Sequence, residues 1–363
     1  MFINNPFHNA FGLDIGDSSL KLVRLEKKVR LSGRAQYEAP DIRQISLPAG
    51  CIVGGEIRQP ELAREKIKLL LDKQNDAPAI RTSWVVADLP VSKTFLKLIR
   101  ISAPENEVND ETMRLEATKH LPLDIKEMDI DWQIIHGQTL KPSATFVLLG
   151  ATPKNIVKSY SNLLKSAALT PLALEIEDIS IARAMITANK EYQGEARAIL
   201  DLGGSRSSLI IYDKGSIQFS SLLNFSGDLI DNTIIDHLKI EPAAATALKN
   251  KNGLNYSDQY PSYLKIVTEL SEKLVDNIYQ AIMFYRDHFY EPNPVTHITM
   301  SGGLSALINL DKFLSDKLQI ESTLGNVWKN LFNPSLEKEN GKDLAMASAI
   351  GLALKAAEWP IIK

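Results

Sequence analysis

Two short stretches of the sequence combine an aspartate with glycine and small polar residues. They read Asp14-Ile15-Gly16-Asp17-Ser18-Ser19 and Asp201-Leu202-Gly203-Gly204-Ser205. In each stretch the aspartate ends an apolar run, and glycine then makes a tight turn whose backbone N–H groups an anion can approach closely. Aspartate oxygens suit Mg²⁺, which binds carboxylates and retains much of its hydration. The pattern is therefore typical of two phosphate-binding turns with a magnesium ion.

The residues expected to serve phosphate binding come from both turns. They are Gly16, Ser18, Ser19, Gly203, Gly204 and Ser205. The two aspartates, Asp14 and Asp201, are expected to hold Mg²⁺ through water molecules. Two such turns facing one another would hold the phosphate chain of a nucleotide from both sides. The alternative is that both are ordinary hairpin turns, and their repetition in the same strand context argues against it.

The surrounding strands repeat as well. Phe11 to Ile15 and Leu20 to Leu25 read as two strands around the first turn, and Ala198 to Leu202 and Ser208 to Tyr212 repeat that order around the second. This internal repeat of one supersecondary unit predicts two similar halves that divide near residue 195.

A third glycine element, Ser301-Gly302-Gly303, lies between a predicted strand, Val295 to Met300, and a predicted helix, Leu304 to Leu318. Glycines in this position let a ligand approach the backbone near a helix N-terminus. Gly302 and Gly303 are thus candidates for contact with an adenosine group. A plain strand-to-helix turn would have the same sequence.

Composition excludes several classes of protein. Of the 363 residues 44% are apolar and 23% charged, as in soluble globular proteins. The net charge of −3 argues against a dedicated nucleic-acid binder. The single cysteine, Cys51, forms no intrachain disulfide, and no Cys/His cluster has zinc-site spacing. No segment approaches the roughly 20 apolar residues that cross a bilayer, and no secretory signal opens the chain, so we expect a cytoplasmic protein without direct membrane insertion.

The sequence resembles the actin-like ATPases in its two phosphate turns and its third glycine element. It resembles more closely the family of the type IV pilus assembly protein PilM, which is related to the division protein FtsA. The closer resemblance covers residues 11 to 357. It rests on Glu116-Ala117, His120-Leu121-Pro122-Leu123-Asp124, Asp131-Trp132-Gln133, Pro153-Lys154, Leu174-Glu175-Ile176-Glu177, Ala182-Arg183-Ala184 and Ala349-Ile350-Gly351-Leu352-Ala353.

The resemblance implies an α/β fold, the actin-like ATPase fold of two duplicated lobes with an inserted small α+β (SHS2-like) subdomain. Lobe I would comprise 1–80 and 153–194, the inserted subdomain 81–152, and lobe II 195–343. The outer part of lobe II would lie at about 226–294, and a final helix, 344–363, would return to lobe I.

The resemblance also implies ATP and Mg²⁺ as cofactors, with Lys249 on the helix that approaches the base. Members often carry glutamate where this chain has Thr246, and a third glycine where it has Leu304. Asp17 adds a negative charge inside the first turn. Lys21 is a further candidate for cofactor binding, where it would compensate that charge, or else it is an exposed strand lysine.

Hydrolysis of ATP needs a group that orients the attacking water. Glu177, just after a predicted strand, is the first candidate and Glu175 the second. Either glutamate could instead be a surface or helix-capping carboxylate. The resemblance implies at most slow hydrolysis, because members of the family often behave as nucleotide-dependent scaffolds with slow turnover.

The function implied is a cytoplasmic ATP-binding scaffold of type IV pilus assembly. It would bind the N-terminal cytoplasmic peptide of the inner-membrane protein PilN, in a groove beside the inserted subdomain, and would reach the inner membrane only through that partner. Contacts with pilus motor ATPases and homo-oligomerisation belong to the same expectation, and nucleic acid does not. The alternatives are an FtsA-like division scaffold, which would carry a membrane anchor after a linker, and a small-molecule kinase of the same superfamily.

Overall fold

A computed structural model describes residues 6–7, 9–29, 35–74, 77–121, 124–136, 144–188, 190–337 and 343–358. Pro122 and Leu123, which belong to the resemblance above, lie outside these residues. The strands are β1 (Phe11–Ile15), β2 (Ser19–Val29), β3 (Ala35–Ser46), β4 (Ile52–Val53), β5 (Glu56–Ile57), β6 (Trp84–Leu89), β7 (Phe95–Ile101), β8 (Met128–Ile135), β9 (Thr145–Pro153), β10 (Thr170–Ile176), β11 (Ala196–Leu202), β12 (Ser207–Asp213), β13 (Ser216–Leu223), β14 (Val295–Ser301) and β15 (Glu321–Leu324). The α-helices are α1 (Pro60–Leu71), α2 (Asp110–Ala117), α3 (Lys154–Ser166), α4 (Glu177–Met185), α5 (Gly227–Leu238), α6 (Pro242–Asn252), α7 (Tyr263–His288), α8 (Leu310–Leu318), α9 (Pro334–Glu337) and α10 (Ala347–Ala357).

The chain forms two compact units. Unit 1 consists of Met1–Asn189, Val327–Lys338 and Met346–Lys363, and unit 2 consists of Lys190–Asn326 and Glu339–Ala345.

The central sheet of unit 1 has the strand order β10-β6-β1-β2-β3. Strands β1, β2 and β3 form an antiparallel meander, whereas β6 runs parallel to β1 and β10 parallel to β6. Successive residues of β6 point to opposite faces. Val85 and Ala87 pack with side chains of α1 and α3, and Val86 packs with Leu352 and Ala356 of α10. Helices thus cover both faces of this sheet.

The strands of unit 2 repeat that order as β15-β14-β11-β12-β13. Again three consecutive strands form an antiparallel meander, β14 runs parallel to its first strand, and β15 runs parallel to β14. The apolar core of this unit includes buried residues of β11, β12 and α7, among them Leu200, Ile211 and Leu274. The predicted duplication is therefore present in the topology of the two sheets.

The inserted subdomain is shorter than the sequence indicated. We placed its start at residue 81, but β6 pairs with β1 and β10 and so belongs to the central sheet of unit 1. The inserted part consists of β7, β8, β9 and α2, with β9 between the other two strands. Met113 and Ala117 of α2 pack on Ile99 and Val147 of this small sheet. The error arose because the local sequence indicates a strand by its apolar pattern but does not indicate which other strand it pairs with.

The boundary between the units also differs from our expectation. Residues 327–338 were assigned to lobe II, but they belong to unit 1. The side chain of Asn330 explains this, because its amide nitrogen donates to the backbone carbonyls of Arg183, Ala184 and Ile186 at the end of α4. Those carbonyls are the groups that a helix C-terminus leaves without intrahelical partners.

Helix α10 lies against β1 and α4 at very short distance. A Cβ on Gly351 would approach the backbone oxygen of Ser180 to 1.8 Å, so only glycine fits there. Lys355 of α10 donates to Glu175 at 2.7 Å, and Arg183 of α4 donates to the same carboxylate at 2.6 and 2.7 Å. Burial favours a raised pKa for Glu175, but the charges and hydrogen bonds of Arg183 and Lys355 outweigh it and hold that pKa below its ordinary value.

Among the described residues, no helix combines the length and the apolar character that a bilayer crossing requires.

Glu175→Gln is expected to lower the free energy of unfolding by about 2 to 4 kcal/mol at pH 7, because Arg183 and Lys355 would lose their buried counter-charge. Since the folded-state pKa of Glu175 is lowered, its contribution is present above its unfolded pKa and is lost as pH falls through the folded value. Urea unfolding of the wild type and the variant at pH 7, and at a series of pH values that falls from 4.5, measures both effects. The control is Glu61→Gln, which removes an exposed pair with Arg64 and should change stability by less than about 0.5 kcal/mol. Equal effects of the two substitutions would contradict the assignment.

Candidate functional site

The two predicted turns have the same backbone geometry. Gly16 donates its N–H to the carbonyl of Ser19 at 3.1 Å, and Gly203 donates to the carbonyl of Arg206 at 2.9 Å. The strand pairs that close the loops are Ile15 with Leu20 and Leu202 with Ser207. In the first turn Ser18 is exposed and Ser19 buried; in the second Gly204 is exposed and Ser205 half-buried.

The second turn is further fixed by the start of α5. The N–H groups of Gly227 and Asp228 donate to the carbonyls of Gly203 and Gly204, at 3.1 and 2.7 Å. Its shape is therefore set before any ligand binds.

Asp14 is buried at the end of β1 and pairs with Lys21 on β2. The Lys21 Nζ lies 2.7 Å from Asp14 Oδ2, and the lysine side chain is only 16% exposed. Lys21 is therefore not an exposed strand lysine, and its charge compensates Asp14. The other oxygen, Asp14 Oδ1, is buried and has no hydrogen-bond partner in the described part of the chain.

The carboxylate of Asp17 is held by the β4–β5 hairpin. Its two oxygens accept hydrogen bonds from the N–H groups of Gly54 and Gly55, at 2.8 and 3.0 Å. Asp17 therefore does not place an uncompensated charge among the N–H groups of the first turn.

Three carboxylates of unit 1 converge beside the first turn. Each of Asp14, Asp88 and Glu177 has an oxygen within 4.8 Å of the others. Asp88 is the penultimate residue of β6, where it accepts a hydrogen bond from the N–H of Ile15 at 2.9 Å. Burial, reinforced by the charges of Asp14 and Glu177, raises the pKa of Asp88 well above its ordinary value.

Sequence reasoning missed Asp88. A signal for it existed, because Val85-Val86-Ala87-Asp88 is an apolar run that ends in aspartate, like the runs before Asp14 and Asp201. No glycine follows Asp88, so this stretch does not match the aspartate–glycine pattern of the two turns.

The two glutamates proposed for catalysis have different surroundings. Glu175 is buried and forms ion pairs with Arg183 and Lys355, so its role is structural. Glu177 is the first residue of α4 and is half-buried, with Oε2 at 3.5 Å from the N–H of Val91. Of the two, only Glu177 belongs to the carboxylate group beside the first turn.

In unit 2, Asp201 is the penultimate residue of β11 and is paired in register with Ser301 at the end of β14. The Ser301 hydroxyl donates to Asp201 Oδ1 at 2.6 Å. A neutral hydroxyl thus neighbours this aspartate, at the position where unit 1 has Asp88 beside Asp14.

The third glycine element follows Ser301 directly. Gly302 has φ +81°, and a Cβ there would lie 2.3 Å from the carbonyl oxygen of Leu202, so both its conformation and its surroundings require glycine. Our expectation that a helix starts at Leu304 was wrong. A 3₁₀ turn, Gly303–Ala306, follows instead, and α8 begins only at Leu310, because Leu307 separates the two elements in a non-helical conformation.

Lys249 lies on α6 and is almost completely buried. Its Nζ donates to Asp231 at 2.7 Å and to the carbonyl of Gly227 at 3.3 Å. Thr246, one turn earlier on α6, donates to the same Asp231 oxygen at 3.0 Å. Asp231 of α5, which the sequence analysis did not single out, thus accepts hydrogen bonds from both Lys249 and Thr246 of α6.

The residues present fit a nucleotide with Mg²⁺. Each unit has a glycine turn of fixed geometry preceded by an aspartate, and in unit 1 a buried aspartate oxygen lacks a protein donor. Asp14 and Asp201 offer the hard oxygen ligands that Mg²⁺ requires. Lys249 adds a lysine held beside the start of α5.

Comparison with known proteins agrees with this geometry. The profile of the family described as type IV pilus assembly protein PilM matches residues 12–357. The structure is similar to that of a PilM–PilN type IV pilus biogenesis complex, with a TM-score of 0.81 and 21% identity over 97% of this chain and 100% of that one. It is also similar to the ethanolamine utilization protein EutJ from Carboxydothermus hydrogenoformans, with a TM-score of 0.54 and 13% identity over 95% and 88% of the two chains.

Among curated proteins, cell division protein FtsA of Enterococcus hirae is 21% identical over 272 residues. The match covers 69% of this chain and 58% of that relative's length.

The Asp14–Lys21 pair predicts a non-additive pair of substitutions. Lys21→Met alone is expected to lower the free energy of unfolding by about 3 kcal/mol, because Asp14 would remain buried without its counter-charge. Adding Asp14→Leu should restore part of that loss, since an apolar pair of similar volume replaces the ion pair. Chemical denaturation of both single variants and the double variant measures the coupling. Additive losses would show that the two side chains do not stabilise each other.

Proposed function

Since this chain belongs to the PilM family of type IV pilus assembly proteins, we propose that it is an ATP-binding, actin-like scaffold of pilus assembly that reaches the inner membrane by binding another protein. The observation that carries the proposal is the repeated aspartate–glycine turn, with the same internal hydrogen bond in both units.

Nucleotide binding uses both turns. The backbone N–H groups of Gly16 and Gly203 and their neighbours contact phosphate oxygens, and Asp14 and Asp201 hold Mg²⁺ through its water molecules. Lys249 and the Gly302-Gly303 turn contact the adenosine. Support for Lys249 is its fixed position, because Asp231 and Gly227 hold its amino group.

Glu177 is the residue that orients the attacking water. Its support is its half-buried position at the start of α4, beside the first phosphate turn, whereas Glu175 is engaged in an ion-pair network. Turnover of ATP is slow. Glu177 only positions the attacking water, and fast hydrolysis also requires a second group that stabilises the charge of the transition state.

The partner is the N-terminal cytoplasmic peptide of a PilN-like inner-membrane protein, which places this chain at the cytoplasmic side of that membrane. The similar solved structure is a PilM–PilN complex, which supports this choice. The inserted subdomain offers a contact point, because Leu115 of α2 is 68% exposed, more than any other large apolar side chain in the described residues. Contacts with motor ATPases and self-association are further parts of the same proposal.

Asp201→Asn is expected to weaken binding of Mg²⁺–ATP by about 10- to 100-fold, because the ion's bound waters lose a charged acceptor. Isothermal titration with a non-hydrolysed ATP analogue, with and without Mg²⁺, measures the change. Asp276→Asn, which removes an exposed carboxylate of α7 in the same unit, is the matched control and should bind as the wild type does. Unchanged affinity of Asp201→Asn, with an unchanged thermal unfolding midpoint, would remove Asp201 from the site.

Leu115→Glu is expected to weaken binding of a synthetic PilN-type N-terminal peptide by about tenfold, because an apolar contact of about 1.5 kcal/mol would be lost. Fluorescence anisotropy with labelled peptide measures it. Leu69→Glu, on α1 outside the inserted subdomain and also exposed, is the control. Equal affinities for all three proteins would place the peptide elsewhere, and no binding by the wild type would contradict the proposed partner.

A further inference from the structure

The tip of the β4–β5 hairpin, Gly54-Gly55, has its backbone polar groups bound to side chains of unit 1. The two N–H groups donate to the carboxylate of Asp17 at 2.8 and 3.0 Å. The carbonyl of Gly54 accepts from the Ser92 hydroxyl at 2.9 Å, and that of its neighbour accepts from the Tyr160 hydroxyl at 3.1 Å. Loop tips usually leave such groups to water, so this one has an unusually well fixed position beside the first turn.

The tip is also closely packed at one of its two glycines. Gly54 and Gly55 have φ of +56° and +78°, as the central residues of a type I′ hairpin turn require. A Cβ on Gly55 would lie 2.5 Å from the side chain of Pro90, whereas one on Gly54 would meet nothing within 4 Å. Alanine at position 55 would therefore displace the tip, and with it the two N–H groups that hold Asp17.

The second turn shows how the same backbone is held without an acid. Gly204 follows Gly203 as Asp17 follows Gly16, so unit 2 has no side chain at this position. N–H groups at the start of α5 hold the second turn by its carbonyls. The hairpin instead holds the first turn by the side chain of Asp17. The hairpin thus restrains a carboxylate that the second turn does not have.

Without this restraint the Asp17 carboxylate would compete with phosphate for the first turn. An aspartate side chain in a turn readily accepts a hydrogen bond from the backbone N–H two residues further on, which here belongs to Ser19. Phosphate binding would use the N–H groups of this same turn. The negative charge of the carboxylate would also repel phosphate oxygens.

We propose that the β4–β5 hairpin keeps the first turn open to phosphate by holding the Asp17 carboxylate away from it, and that a released Asp17 blocks the turn as an internal competitor. Asp17 is then a positioning residue, and the segment Ile52–Ile57 controls access to the first turn. This inference rests on the proposed function, because it takes phosphate as the ligand of that turn. It adds a regulatory element that lies outside the turn itself.

Gly55→Ala, which displaces the tip, tests the proposal in the full-length chain. It is expected to weaken binding of a non-hydrolysed Mg²⁺–ATP analogue by about tenfold, because a hydrogen bond of the released carboxylate must first be broken. Adding Asp17→Ala should restore the affinity to within about threefold of the wild type, because the competitor is then absent. Asp17→Ala alone should bind as tightly as the wild type does. Isothermal titration measures each affinity.

Gly215→Ala is the matched control for the cost of a side chain at positive φ. Gly215 has a φ of +81° in the β12–β13 turn of unit 2, and a Cβ there would meet nothing within 4 Å. This variant should bind the analogue as the wild type does. Ser92→Ala, which removes the hydroxyl bound to Gly54, is a milder release of the tip and should show the changes of Gly55→Ala at a smaller size. The test therefore does not depend on the folding of Gly55→Ala.

Amide hydrogen exchange of Ser19, followed by nuclear magnetic resonance of nucleotide-free, ¹⁵N-serine-labelled protein, is a readout that needs no ligand. Gly55→Ala should slow this exchange at least about threefold, and the double variant with Asp17→Ala should lose the slowing. A purely structural role of the hairpin predicts faster exchange and an affinity that Asp17→Ala does not restore, and either result overturns the proposal. If the wild type binds no nucleotide but the exchange behaves as expected, nucleotide binding fails and the restraint on Asp17 stands.

Discussion

The burial of a carboxylate at the end of a central strand is the constraint on which the rest of this structure depends. A buried charge needs a counter-charge or donors, because desolvation costs several kcal/mol per ion. Asp14 obtains its counter-charge from Lys21, which the β1–β2 hairpin brings opposite it in register. Asp201 obtains a donor from Ser301, which the parallel pairing of β11 with β14 brings opposite it. The neighbouring strands thus supply a counter-charge to the buried Asp14 and a hydroxyl donor to the half-buried Asp201.

A glycine lies two residues after each aspartate. Gly16 and Gly203 each close a turn by donating the backbone N–H to the carbonyl of the residue three positions later. The turn then exposes backbone around Ser18 and Gly204, where an anion has access. Each unit thus combines an aspartate near the end of a strand with a following turn whose backbone is exposed.

Two groups of ionic side chains near the end of β10 in unit 1 have different surroundings. Glu175, Arg183 and Lys355 neutralise one another and connect β10, α4 and α10, so they hold elements together. Asp14, Asp88 and Glu177 instead lie together beside the first turn, and Asp14 is paired with Lys21. Residues two positions apart, Glu175 and Glu177, therefore have different roles, because one points into the ion network and the other begins a helix beside the turn.

The sequence by itself determined the features that depend on neighbouring residues. The aspartate–glycine turns, their repetition, the helices with an apolar periodicity and the PilM family membership all follow from local residue patterns, because backbone turns and amphipathic faces are encoded within a few positions. Contacts between residues far apart in the chain depend instead on the folded arrangement of the strands and helices. Asp88 is 73 residues from its hydrogen-bond partner Ile15, and Lys355 is 180 residues from Glu175. The assignment of β6 to the central sheet was likewise decided by pairing, since an apolar strand does not specify its neighbour. The chemistry of single turns could be predicted, whereas the group of three carboxylates exists only because parallel strands end at one edge.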